Sequence, residues 1–262
     1  MKLLPDTTDL SGMDCHLHSR FSPDAKDAGA DSPEDIAAAV RKKGLRGFIV
    51  TDHIDIGHWN GCEPIDFDKY FSVWESVRAK NPDLTIYIGL EVGFEKSTAE
   101  QTAKLISELP LEYVINSVHY WQGPDPNNPT NHFSQGRIKA YTAYLNAVLA
   151  SLDAPYAFNT IGHLGFPERY APYDKSERAM EYEIFKPLMD EIIKKATDRR
   201  VRFEENTNAG GEMRLPRADF LKAYKTAGGT RPPLGSDAHV SASIGQHFKA
   251  AEKFLDDIFG NR

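Results

Sequence analysis

Seven short β-rich runs alternate with seven amphipathic helical stretches along this chain, and that alternation restricts the fold more than any other feature. The runs are Met13–Leu17, Gly47–Thr51, Thr85–Val92, Tyr113–Val118, Phe158–Gly162, Val201–Asn206 and Pro233–Ser236. The helical stretches are Pro33–Lys43, Asp66–Lys80, Thr98–Leu109, Gln135–Leu152, Lys175–Arg199, Arg217–Ala227 and Ser241–Phe259. Strands separated by helices cannot pair through tight hairpins. A helical crossover joins parallel neighbours, so the expectation is a parallel α/β architecture. The first helix is the best punctuated: Ser32 as N-cap, Pro33 at the first helical position, Asp35 at capping-box spacing and Gly44 past the end. Two polar segments break the rhythm, 58–65 and 123–134. The longer (GPDPNNPTNHFS) follows a strand and reads as a surface loop placed as a lid.

The 262 residues suit one large domain or two small ones; single α/β barrels routinely occupy that length, so one domain spanning 1–262 is expected, and 40% apolar content supplies a core for it. No run of about 18 apolar residues is present to span a bilayer as a helix. The first ten residues lack the basic flank and apolar stretch of a signal peptide. The two cysteines, Cys15 and Cys62, form neither a CxxC motif nor a disulfide framework, so the location expected is cytoplasmic. A net charge of −7 argues against an extended nucleic-acid partner. It leaves room for a small phosphorylated substrate held by one or two arginines.

The chemistry collects at the strand ends. Six of the nine histidines lie there: His16 and His18 on the first run, then His53, His119, His163 and His239. Glu91 ends the third run, Glu204 and Asn206 the sixth, and Asp237 follows the seventh. In α/β barrels and open parallel sheets the functional face lies outside the carboxyl ends of the strands. Residues two apart on a strand point the same way, so His16 and His18 can converge on one ion. Imidazole with carboxylate, and no thiolate, suits Zn²⁺, Mn²⁺ or Fe²⁺. A single histidine at a strand end is more often a plain hydrogen-bonding residue, but convergence on one face by chance is a poor account of six. His58, His132 and His247 fall off the pattern and read as loop or surface residues.

The motifs DCHLHS (14–19), TDH (51–53), GLE (89–91), SVHY (117–120), GHLG (162–165) and GSDAH (235–239), in that order, resemble the polymerase-and-histidinol-phosphatase (PHP) superfamily. The segments SVHYWQG, GHLGFPERY and FEENTN resemble its histidinol-phosphatase (HisK-type) branch. The resemblance implies a distorted, TIM-like (β/α)7 barrel holding three divalent metal ions. It implies one ion on His16, His18, Glu91 and Asp237, and a second on bridging Glu91 with His119 and His163. The third would take Asp24, His53 and His239, with Asp24 standing where some members have histidine. Asp14 and Asp52 are expected to orient ligands. Arg169 and Arg214 are expected to grip phosphate, since a guanidinium offers two parallel donors.

The activity implied is hydrolysis of L-histidinol phosphate to L-histidinol and phosphate, within histidine biosynthesis, with a metal-bridged hydroxide as nucleophile. Asp52 and a water on the third metal are candidate proton donors to the leaving alkoxide. Tyr120, Glu204, Asn206 and the 123–134 loop are candidates for reading the rest of the substrate. One alternative is a related phosphoesterase acting on nucleotides, oligonucleotides or phosphotyrosine. A second is a non-catalytic, metal-bound interaction module.

Overall fold

The computed structural model describes residues 2–24, 31–58, 64–121, 132–208, 210 and 213–260. Six parallel strands lie side by side in chain order: β1 (Met13–Leu17), β2 (Gly47–Ile54), β3 (Thr85–Gly93), β4 (Tyr113–Ser117), β5 (Thr160–Ile161) and β6 (Arg202–Phe203). A second parallel pair joins β7 (Glu205–Asn206) to β8 (Leu234–Gly235). The two sheets are one curled wall. Glu204 N–H donates back to Ile161 O at 3.0 Å, whereas Glu205 N–H donates forward to Pro233 O at 2.9 Å. The ring closes where Asp237 N–H donates to His16 O (2.7 Å) and His18 N–H to Ala238 O (2.8 Å). The expected barrel is therefore present, with the eight described strands around it, β6 and β7 both from the run expected at Val201–Asn206, and its second half built from much shorter ladders than the sequence suggested.

The strands are buried along almost their whole length, as parallel strands covered on both faces must be. Alternate side chains serve two clusters. A small one inside the ring holds Met13, Cys15, Ile49, Tyr113 and Ile115. The large outer one holds Phe48, Val50, Ile86, Ile88, Leu90, Val92 and Val114 against the helices. In β1 the register slips between Asp14 and Leu17. Met13 and Cys15 face the inner cluster, but Leu17 packs in the outer one. That irregularity switches the parity of the strand and re-aims its last residues, a common use of a bulge.

Among the described residues seven helices of two turns or more face that outer layer: α1 (Pro33–Lys42), α2 (Phe67–Lys80), α3 (Ala99–Ser107), α4 (Arg137–Ser151), α5 (Lys186–Asp198), α6 (Ala218–Thr226) and α7 (Phe248–Phe259). The capping box of α1 forms in both directions between Ser32 and Asp35. On α2 the buried stripe Tyr70, Trp74 and Val77 follows the helical period. Two helices are shorter than their periodicity suggested. Residues 175–185 are turns and irregular backbone because buried and half-buried side chains claim their backbone: Glu168 accepts from Met180 N–H, Asp219 from Tyr182 N–H, and Tyr141 O–H donates to Arg178 O. Residues 241–247 are likewise committed elsewhere. Gly245, at φ +63°, donates its N–H to Asp14 Oδ2 at 3.0 Å and buttresses β1. Among the described residues no helix is long and apolar enough to cross a membrane. Cys62 and residues 123–131 of the expected lid lie outside the described residues.

Candidate metal centre

Glu91, fully buried near the end of β3, is the hub of the strand-end cluster. Its Oε1 lies 3.1 Å from His119 Nε2 and 2.8 Å from His163 Nε2, and its Oε2 lies 3.0 Å from His16 Nε2 and 3.1 Å from His53 Nδ1. Around it the side chains fall into groups whose donor atoms lie within 4.8 Å of one another: His16–His18–Glu91–Asp237, Glu91–His119–His163, His18–His53–His239 and His53–Asp55–His119. The first two coincide with sets read from the sequence. Asp24 stands beside the third, its Oδ2 2.7 Å from His239 Nε2 and 3.4 Å from His53 Nε2.

The tautomers follow from what lies behind the rings. Ser22 Oγ donates to Asp52 Oδ1 at 2.9 Å, so at 3.0 Å it can only accept from His18 Nδ1–H. His16 Nδ1–H donates to Glu204 Oε1 at 2.7 Å, and His119 Nδ1–H to Asp55 Oδ1 at 2.8 Å. In neutral rings each Nε2 is then a bare acceptor turned to the centre. His16 Nε2 and His18 Nε2 face each other at 3.1 Å, and His119 Nε2 and His163 Nε2 at 3.3 Å. Between neutral His16 and His18, whose Nδ1 protons are placed, the facing lone pairs repel unless a proton or a metal cation lies between them. The donor set therefore fits divalent ions of the first transition row, with nitrogen and oxygen ligands and no sulfur.

The charged groups of the cluster act strongly on one another. Burial opposes ionisation of Glu91, yet the imidazoles of His16, His53 and His119 outweigh it and hold the carboxyl well below its ordinary range. Burial also opposes a charge on His16, but Glu204, Glu91 and Asp237 together raise its pKa well above normal. His18 goes the other way. Burial, with His239 and His53 beside it, pushes it down to about 3, so it stays neutral and able to coordinate. Concentrated negative charge around neutral imidazole is what a divalent ion requires.

A pocket opens over this cluster, with His53, His119, His163, His239, Asp24 and Asp237 on its floor. Tyr120, Phe166, Arg169, Tyr170 and Asn208 make the wall. Arg169 lines this pocket. Its two Nη atoms donate to Asp237 Oδ2 (3.1 Å) and Asn206 Oδ1 (2.5 Å), and its guanidinium lies over the Phe166 ring. Tyr120 reaches the pocket and stacks on His58, their ring centroids 3.5 Å apart.

Other expectations need correction. Arg214 turns away from the pocket: it pairs with buried Glu205 at 2.9 Å and covers the Phe254 ring at 4.2 Å. Asp52 cannot serve as proton donor to substrate, because it is fully buried and both its oxygens are taken by Ser19 and Ser22. It braces the turn after β1, as Asp14 does by accepting from Ser236 and Gly245 N–H groups. Glu204 and Asn206 lie behind the centre and do not line the pocket. Glu204 accepts from His16 Nδ1 and His163 N–H, and Asn206 bridges Arg169, Glu204 and Asp237. His132 is buried against Trp121, and His58 is half-buried in an ion pair with Glu95. The sequence reading passed over Asp55, Ser22, Ser117, Phe166, Tyr170 and Asn208. Of these only Asp55, two residues past His53 on the same strand side, carried a signal that could have flagged it.

Comparison with known proteins agrees with this architecture. Residues 14–208 match the PHP domain family. A probable histidinol-phosphatase of Clostridium acetobutylicum is 30% identical over 93% of this chain and 92% of its own. The histidinol-phosphatase of Lactococcus lactis subsp. lactis is 26% identical over 87% of this chain and 84% of its own. A crystal structure of histidinol phosphate phosphatase from Lactococcus lactis subsp. lactis, complexed with zinc, L-histidinol and phosphate, superposes with a TM-score of 0.79. The match covers 94% of this chain and 93% of that one at 23% identity, and shows the shared fold. By the extent of these matches the chain is a member of the PHP domain family.

Proposed function

We propose that this protein is a metal-dependent phosphomonoesterase that hydrolyses L-histidinol phosphate to L-histidinol and phosphate, in the cytoplasm and in the service of histidine biosynthesis. The observation that carries the reading is Glu91, a buried carboxylate whose two oxygens are ringed by imidazoles from four other strands. The family and the names of its relatives support the substrate.

Three ions are assigned: one to His16, His18, Glu91 and Asp237, one to Glu91, His119 and His163, and one to Asp24, His53 and His239. Zinc, manganese and iron(II) all suit these donors. Divalent ions held there supply activated water, by lowering its pKa towards about 7, and neutralise charge on the phosphoryl oxygens. Arg169 offers the remaining cation, and its planar fork fits two phosphoryl oxygens. Asp237 and Asn206 hold that fork ready, so little ordering is needed when substrate arrives. Tyr120, Phe166 and Tyr170 give the organic half of the substrate an aromatic wall.

The test is a kinetic comparison of L-histidinol phosphate with phosphotyrosine, nucleotides and an aryl phosphate at equal metal loading. A preference of about a hundredfold, near 2.7 kcal/mol, is expected for histidinol phosphate. A stronger preference for another monoester would reassign the substrate. Chelation should abolish turnover and added Mn²⁺ or Zn²⁺ should restore it, while His16→Ala should lose turnover by orders of magnitude. Full activity in that variant would remove the metal assignment.

A further inference from the structure

Three glycines end strands beside the centre, and each is barred from carrying a side chain by the same kind of neighbour. A Cβ on Gly93 would lie 1.8 Å from Asp55 Oδ1, one on Gly162 2.1 Å from Ser117 Oγ, and one on Gly235 2.0 Å from Glu204 Oε1. None of the three has a left-handed backbone, so what glycine contributes here is space and not conformational freedom. Each obstructing atom also has a partner in the cluster. Asp55 Oδ1 accepts from His119 Nδ1 at 2.8 Å, Ser117 Oγ donates to Glu91 Oε1 at 2.6 Å, and Glu204 Oε1 accepts from His16 Nδ1 at 2.7 Å.

We propose that Asp55, Ser117 and Glu204 form an orienting ring behind the metal-facing atoms, and that Gly93, Gly162 and Gly235 exist to make room for it. The proposal rests on the reading above that His119, Glu91 and His16 hold ions. Asp55 belongs to the ring and is not itself a ligand. It meets His119 at Nδ1, while the Nε2 of that ring faces Glu91 and His163. Fixing Nδ1 fixes both the tautomer and the plane of the imidazole, which raises its basicity toward the ion. Asp55, Ser117 and Glu204 are thus positioning residues, each acting through a side chain that faces the centre. Every obstruction crosses from one strand to the next, so the ring also sets how the strand ends meet.

Gly93 gives the cleanest test, because the three atoms nearest its added Cβ all belong to Asp55. Zn²⁺ or Mn²⁺ affinity of Asp55→Ala, Gly93→Ala and the double variant would be measured by competition with a chromophoric chelator. The absorption spectrum of Co²⁺-loaded protein would report ligand geometry. Each single variant should bind ions about 10- to 100-fold more weakly. The double variant should bind no more weakly than Asp55→Ala, because Gly93 acts through the carboxylate that is already gone. Unchanged affinity in Gly93→Ala, or a full additional loss in the double variant, overturns the proposal. Should Gly93→Ala fail to fold, Asp55→Asn keeps the shape without the charge and must still weaken binding; parent-like affinity there overturns it equally. His119→Ala separates the two readings. If it leaves ion binding intact, the ligand assignment fails; if it lowers binding while Asp55→Ala does not, only the orienting ring fails.

Discussion

Arg169 and Arg214 follow consecutive strand ends and carry the same guanidinium, yet their surroundings divide them. Arg169 has both Nη atoms held at the pocket wall by Asp237 and Asn206. Arg169→Lys keeps the charge but loses the fork, and kcat/KM should fall about 10- to 100-fold, read by steady-state kinetics. Arg214 is engaged by Glu205, the backbone of Ala250 and the Phe254 ring. Arg214→Ala should therefore leave kcat/KM within about threefold and cost about 1–3 kcal/mol in denaturant unfolding. A large kinetic loss with unchanged stability would return Arg214 to the phosphate. No sequence pattern distinguishes these two arginines, because the difference lies in which partner each finds after folding.

Among the elements, α1 declares itself through local chemistry and shows how far such chemistry reaches. Ser32→Ala removes the capping oxygen that Asp35 N–H uses. It should cost about 1 kcal/mol in unfolding while leaving turnover unchanged. A different coupling ties the turn after β5 to the rest. Glu168 accepts from Met180 N–H and from Arg217, and its burial, only partly offset by these donors, raises its pKa from 4.5 to about 7. The fold favours the protonated acid, so that contribution is full below about pH 4.5 and is lost as pH rises through about 7. Glu168→Gln should gain stability relative to the parent between about pH 5 and 8, by at most about 3 kcal/mol, in unfolding measured across pH. A parallel pH dependence in the two proteins would contradict this. The same two examples mark what was legible. Strand ends, the α1 box and the HxH spacing of His16 and His18 are written in adjacent residues. The slip in β1, the turns at 175–185 and the retreat of Asp52, Glu204 and Asn206 behind the centre depend on contacts between segments distant in sequence. Periodicity cannot report those.

For the whole molecule, the cluster gathers ionisable groups from every part of the barrel, so ions should stabilise it as any ligand of the native state does. Metal-loaded protein should unfold about 2.7 kcal/mol harder than chelated protein when free ion stands at a hundred times its dissociation constant. Equal midpoints would mean that ions do not bind this cluster. The seam between β1 and the last strand segment adds a condition of timing. His16 and Asp237 meet across it, with Asp237 N–H bonded to His16 O. A nascent chain lacks that partner until synthesis has passed residue 237. We expect a version ending before residue 233 to take up ions only weakly, which equilibrium dialysis would reveal, and tight uptake by such a fragment would disprove this. A cell that loads this protein would then be filling a vessel already shut along its length, and scarcity of ion would leave behind a finished but idle barrel.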